Sequence, residues 1–399
     1  MFQVRPSRAM LKLADGPGMA FRLTAVKVLA LITIALSAAV QCPCAPQQPK
    51  DVERDIRPLL TKLAKFSEDP CQENPTDEVP DKIASDLFYT TTDIVLQEMN
   101  TSPASQEIAR RRAEEALKRI ERMSAEINAA WPEQNRFHFQ VLNLPPALII
   151  KMEARTLGGF FVFGIPEEDS GKPNRLWHEV DSDYEFSNDA VPETSLDLYA
   201  LHRGPSGKAR FLAEVTGGGC AGFNIGVTYD AREWDPTGYG HVKQIIDQSG
   251  SLRMSDEDSE FPSIGKLQTR GPAITLPYCW FSAIDTWHHA TLCAVDTYDL
   301  SGNQVKFLSR EYNRPDLLPI ATTIEYAQKR DYPAVRAYCA SDDVAHSLVR
   351  DIPPFFFAMD LQVTRTGEGK EHVEMAESKY RFDVEKRGGR WLVVAFSEQ

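Results

Sequence analysis

At 399 residues the chain is too long for one ordinary core, and at roughly 100–200 residues per domain it should hold two or three. Its 42% hydrophobic and 25% charged residues are those of a globular protein. The formal net charge of -13 excludes the basic surface that a nucleic-acid partner needs and opposes docking on anionic membranes.

Residues 28–40 (VLALITIALSAAV) are apolar or small, follow basic Arg22 and Lys27, and precede a turn-rich QCPCAPQQP stretch. That order predicts a secretory signal peptide over residues 1–41, with a compact signal starting from Met19. The apolar core is shorter than the ~20 residues of a spanning helix. An uncleaved anchor, or a lipid on Cys42, is the one route by which the sequence would place the protein on a membrane. Gln41 and Ala39 depart from the lipoprotein pattern.

Residues 47–132 read as helical. Ile56, Leu59, Leu60 and Leu63 recur at helical spacing, and a second helix is expected over 82–99. A third opens on Ser102 and Pro103 and carries a stripe of Ile108, Ala113, Leu117, Ile120, Met123, Ile127 and Trp131 before Pro132. The basic run Arg110-Arg111-Arg112 is followed by Glu114 and Glu115, which predicts a solvated, ion-paired helix face.

From Phe137 the period changes to that of strands, and residues 133–314 read as a β-rich, sandwich- or barrel-like domain. Three strand–turn–strand units are expected: 196–202 with 208–215, 242–246 with 251–254 around Gln248-Ser249-Gly250, and 293–300 with 304–312 around Ser301-Gly302-Asn303. A propeller is the alternative. Cys279 and Cys293 flank one bend and could face each other across adjacent strands, so they are the disulfide candidates among seven cysteines. The stretch 274–314 is therefore read as a structural hairpin that closes the β domain and hands the chain on at Pro315.

Residues 315–399 read as a small α+β domain. Leu317, Leu318, Ala321, Ile324 and Ala327 repeat at helical spacing, and Asp331 and Ser341 open short helices. Four strands follow, the last of which, Trp391 to Phe396, is apolar on both faces and expected to be buried. A helix ending in Lys329-Arg330-Asp331-Tyr332, short helices, and strands ending in Gly388-Gly389-Arg390-Trp391-Leu392-Val393-Val394-Ala395-Phe396 make a layout that resembles the nuclear transport factor two-like (cystatin-like cone) superfamily. The resemblance covers about a fifth of the chain and implies a curled antiparallel sheet with a concave pocket, not an activity. Tyr326, Tyr338, Phe382 and Trp391 are the residues that would line such a pocket. The superfamily's Asp–His pairing has no assignable match; His346 and His372 sit beside acids.

Cys279, His288, His289 and Cys293 are the residue types of a zinc site, but without the paired spacing that zinc favours no metal is expected there. Asp181, Asp183 and Glu185 echo a calcium loop, yet Phe186 stands where its glycine belongs, so a solvated acidic loop is expected. Gly217-Gly218-Gly219-Cys220 is the one nucleophile-like turn, better read as a structural turn. The aromatics Trp177, Tyr184, Trp234, Tyr239, Trp280, Phe281 and Trp287 read as packing, with a carbohydrate- or peptide-binding face as the alternative. The whole reads as an α+β protein, exported to a periplasmic or extracellular space, that binds an unknown ligand or protein partner without catalysis or cofactor. The alternatives are an extracytoplasmic hydrolase or an isomerase-like pocket in the C-terminal domain.

Overall fold

A buried arginine shows how the largest sheet of this protein is shaped. The structure is a computed structural model that describes residues 50–64, 78–101, 105–127, 129, 136–154, 157–165, 176–186, 195–203, 207–218, 225–237, 242–252, 267–285, 290–356, 361–375 and 378–398. The signal segment, Cys42, Cys44, Cys71, Cys220, Tyr239, Trp287, His288 and His289 lie outside those residues.

A π-helical turn, Val52–Ile56, runs into α1 (Arg57–Ala64), followed by α2 (Glu78–Met99) and α3 (Gln106–Ile127). The inner face of α3 is Ala109, Ala113, Ala116, Leu117, Ile120 and Met123. Ile108, expected on that stripe, is exposed, because it stands one residue and about 100° away from Ala109. The basic run is ion-paired as expected: Arg110 meets Glu107 at 2.6 Å and Glu114 at 2.5 Å.

The helices cover one face of a four-stranded antiparallel sheet, β1 (His138–Leu144), β2 (Ala147–Ala154), β3 (Leu157–Gly164) and β4 (His178–Phe186). Leu148, Ile150, Met152, Phe161 and Phe163 meet the helices, while Ala147, Ile149, Phe160 and Val162 point the other way. Burial on both faces explains why β2 opens on four consecutive apolar residues, Ala147 to Ile150. The second face packs on Leu196, Leu198, Phe211, Ala213 and Trp234 of a seven-stranded sheet.

That sheet runs β11-β10-β9-β8-β7-β6-β5, comprising β5 (Ser195–Ala200), β6 (Ala209–Gly218), β7 (Ile225–Trp234), β8 (Val242–Leu252), β9 (Ala273–Trp280), β10 (Leu292–Asp299) and β11 (Lys306–Tyr312). Strands β6 and β10 are four places apart, about 19 Å if the sheet were flat. Arg210 on β6 nevertheless donates to Leu300 O at 2.7 Å, Gly302 O at 3.1 Å and Asn303 O at 3.2 Å, all just beyond β10. The sheet therefore curls around its own inner face, where Leu212, Tyr229, Ala231, Ile246, Leu276, Tyr278 and Ala294 form a separate core.

Two of the three expected strand–turn–strand units are present: β5 pairs with β6, and β10 with β11. The third is a single strand, β8. Gly250 carries the sequence signal of a turn, but it sits inside β8, where the neighbouring backbone comes too close for a side chain. A Cβ there would stand 2.6 Å from Cys279 O and 2.9 Å from the Tyr278 Cβ.

Strand β8 pairs with β9 only at Ser251–Cys279. The rest of that edge of β9 is satisfied in other ways. Thr275 exchanges hydrogen bonds with Gln268, Pro277 carries no N–H, and Pro277 O accepts from the Tyr229 phenol at 2.8 Å.

The C-terminal part comprises α4 (Leu318–Gln328), α5 (Tyr332–Arg336), α6 (Asp342–Asp351) and an antiparallel sheet of β12 (Leu361–Gly367), β13 (Lys370–Met375), β14 (Tyr380–Arg387) and β15 (Arg390–Glu398). Asp331 and Ser341 cap their helices as expected, accepting from Ala334 N and Val344 N. Strand β15 is not buried on both faces. It is an edge strand in which Val393 alone is fully buried. Its open side is partly covered by the α5–α6 connection, through Val393 N–Tyr338 O and Ala340 N–Val393 O, both 2.9 Å.

The disulfide Cys279–Cys293 is present, joining residues directly opposite in the β9–β10 register. Beyond it, the β9–β10 connection sends Ile284, and β10 sends Leu292, into the C-terminal core beside Val373 and Phe382. The buried Asp285 carboxylate holds this connection, accepting from Ser282 N, Ser282 Oγ and Thr291 N at 2.5, 2.8 and 2.6 Å. Asn313 accepts from Cys293 N and Arg314 N and donates to Thr291 O. Residues 50–399 thus cohere as one compact unit.

Candidate functional site

Inward-facing positions of a curled sheet should be apolar, and most here are. The exceptions form a polar string across the concave face. On β6, Arg210, Leu212 and Glu214 all point inward, two residues apart. Arg210 is fully buried, bonded to Glu233 at 2.6 Å as well as to the three carbonyls, and so closes one end of the curl. Two strand positions along, Glu214 is buried and accepts from the half-buried Tyr199 phenol at 2.9 Å. Tyr229 stands directly opposite Glu214 in the β6–β7 register, and its phenol donates to Pro277 O across the sheet.

Beyond Pro277 the string continues on β9 to β11. Tyr278 Oη stands 3.3 Å from Asp296 Oδ2, and both Asp296 oxygens are gripped by Arg310 at 2.6 and 2.7 Å. Asp296 is fully buried, whereas Arg310 is 40% exposed, so the pair runs from the interior to the rim. The Arg310 guanidinium lies over the rings of Tyr278 and Phe307, at 5.7 and 6.0 Å, and Phe307 meets Tyr298 edge-on at 5.5 Å. Phe307 is exposed on β11, and Tyr199, Tyr298, Tyr312 and Trp280 are half-buried.

The electrostatics are uneven along the string. Burial raises the Glu214 carboxyl above the ordinary range, the Tyr199 phenol offsets part of that, and Asp197 adds to it. Burial likewise raises the phenols of Tyr199, Tyr229 and Tyr278. For Arg310 the Asp296 hydrogen bonds dominate and hold the guanidinium charged. Strands β5 and β11, the two ends of the sheet, are not paired with each other. The backbone of β5 is partly covered, since Leu196 N donates to Glu153 at 3.0 Å.

Of the expected C-terminal lining residues, Phe382, Tyr326 and Trp391 belong to the C-terminal core cluster. Phe382 is fully buried, 5.1 Å from the Phe396 ring, and Tyr326 and Trp391 pack half-buried against the same cluster. Tyr338 is half-buried in the α5–α6 connection. His372 lies on the outer face of β13, with Nδ1 2.6 Å from Asp383 and Nε2 3.2 Å from Glu374; those carboxylates, Asp383 first, raise it above the usual histidine range. His346 stacks on Tyr332 at 4.2 Å.

Two further constellations resolve differently from their sequence signals. Asp181 and Asp183 lie on β4, not in a loop, and meet Arg232 of β7 at 2.6 and 2.5 Å, with Asp230 at 2.6 Å. They join the β1–β4 sheet to the seven-stranded sheet. Cys279 and Cys293 are oxidised together, which removes two of the four zinc-type residues; among the described residues no group of His, Cys, Asp and Glu is arranged to hold a metal ion. Trp177 and Trp234 are buried packing residues, Phe281 is exposed, and Cys339 is a buried thiol pushed up to about 12 by burial.

A carboxyl pair at the foot of β13 carries a pH signature. Arg314 pairs with Asp316 and lies 3.6 Å from Glu371. Burial and the neighbouring Asp316 raise Glu371 to about 7. The native state therefore binds a proton that the unfolded chain, with an ordinary carboxyl, has lost. Stability should fall as pH rises from about 4.5 towards about 7. Glu371→Gln should flatten that part of the profile, read as urea midpoints at several pH values.

A comparison of the sequence with known protein families finds no matching family model, and a comparison with curated proteins finds no match.

Proposed function

We propose that this is an exported, non-catalytic binding protein that takes a small ligand on the concave face of the seven-stranded sheet, entering between the unpaired edges β5 and β11. One observation carries the reading. Half-buried Tyr199, Tyr298, Tyr312 and Trp280 and exposed Phe307 surround buried carboxylates on a face that packing alone would fill with aliphatic side chains. The polar groups are engaged with phenols, an arginine and backbone carbonyls, an arrangement suited to orienting a guest rather than transforming it. The signal-like N-terminus favours export. The disulfide is compatible with it, and among the described residues no helix is long and apolar enough to cross a membrane. The C-terminal part, whose layout resembles the cone superfamily, serves in this reading as a brace for the β9–β10 connection.

The reading is tested with three probes that share one ring and differ in charge: benzylamine, benzyl alcohol and benzoate. At least one should raise the melting temperature and perturb tyrosine fluorescence of the full chain, and both effects should vanish in Tyr199→Ala and Phe307→Ala. If no probe binds, or if binding survives both substitutions, the concave face is not the site.

A further inference from the structure

The two buried carboxylates of the concave face have unlike partners. Asp296 has a complete arginine, with both oxygens on Arg310 at 2.6 and 2.7 Å. Glu214 has phenols beside it: it accepts from Tyr199 at 2.9 Å, and Tyr229 stands opposite it on β7. Among the described residues no lysine or arginine forms an ion pair with it. Directly opposite Glu214 in the β5–β6 register stands a second acid, Asp197. Like charges facing each other across a strand pair are unfavourable, and a buried carboxylate without a cation is costly. Asp197 is 53% exposed and reaches Lys151 at 3.5 Å around the edge strand, so that lysine serves the rim.

We infer that Glu214, flanked by Tyr199 and Tyr229 and reached past Asp197, is the recognition point for a cationic nitrogen, the protonated amine of a small ligand. This rests on the binding role proposed for the concave face. An ammonium group would supply the charge that Glu214 lacks, donate to the carboxylate and lie against phenol faces, which attract cations. Desolvation strengthens each of these contacts. The Arg310 end of the string has its charges matched already and would receive the uncharged part of the guest, beside Phe307 and Tyr298. A carboxylate ligand would meet Asp197 and Glu214 together and be repelled.

Calorimetry on the full chain tests this with the same probes. Benzylamine should bind, benzyl alcohol at least tenfold more weakly, and benzoate not at all. Glu214→Gln, which keeps the shape and the Tyr199 bond, should weaken benzylamine at least tenfold more than it weakens benzyl alcohol. Binding of benzylamine should also weaken as pH falls and protonates Glu214, and that dependence should be lost in the variant. Should Glu214→Gln not fold, Asp197→Asn is the second variant, expected to weaken benzylamine selectively. Equal affinity for benzylamine and benzyl alcohol, or no loss in either variant, overturns the inference. If benzyl alcohol or benzoate binds while benzylamine does not, the cation site is refuted but ligand binding on the concave face stands.

Discussion

Replacing Arg210 with alanine should destabilise the protein by about 3–5 kcal/mol, the range for removing one partner of a buried ion pair. The side chain is fully buried and answers Glu233 together with the carbonyls of Leu300, Gly302 and Asn303. Its loss takes the closest cation from the buried Glu233 carboxylate, which keeps only Lys208 at 3.2 Å, and removes the donor to the buried Leu300 carbonyl and to two part-buried ones. It also removes the tie between β6 and the β10–β11 connection, so the curl should loosen at that end. Urea unfolding measures the first effect, and amide exchange at residues 300–303 the second. Arg210→Met with Glu233→Gln should recover much of the loss, since no charge is then left unmatched. A loss below about 1 kcal/mol in Arg210→Ala would mean that packing, not this arginine, holds the curl.

Removing the disulfide is the second large effect. The bridge closes a sequence separation of 14, for which loop-closure entropy gives about 3 kcal/mol. Cys279→Ala with Cys293→Ala should therefore cost about 2–4 kcal/mol. The same loss should appear when the natural chain is unfolded in reductant. The consequence extends beyond the β domain, because the bridged segment carries Ile284 and Leu292 into the core that holds Val373 and Phe382. Exchange protection of β13 and β14 should fall along with that of β9 and β10. Loss confined to β9 and β10 would show that the two regions are held together by other contacts.

The disulfide was legible in the sequence because its determinants are local: two strand-like runs, a short bend and two cysteines placed across it. The helical caps at Asp331 and Ser341 were legible for the same reason. Errors arose where the determinant is distant. Gly250 looks like a turn residue until Tyr278 and Cys279, nearly thirty positions away, are seen pressed against it. Asp181 and Asp183 look like an acidic loop because their partner, Arg232, lies about fifty residues on. Strand β15 has the composition of a central strand, and composition does not reveal that its last neighbour is a short connection rather than another strand.

The candidate site was missed for a related reason. Tyr199, Glu214, Tyr229, Asp296 and Arg310 are single residues on five different pieces of chain, with no spacing that marks them as a group. One signal was present. In Arg210-Phe211-Leu212-Ala213-Glu214 the charged residues share the alternation of inward-facing Leu212, an arrangement that implies buried, partnered charges if the run is a strand with both faces covered. The partners themselves become visible only when the sheet curls.

Amide exchange of the full chain, alone and with each of benzylamine, benzyl alcohol and benzoate, shows whether the concave face between β5 and β11 receives a small ligand. Added protection is expected over residues 195–200, 209–218 and 306–312, and with benzylamine it should be absent in Glu214→Gln. Protection confined to the C-terminal strands, or none anywhere with benzylamine, benzyl alcohol and benzoate alike, would contradict it.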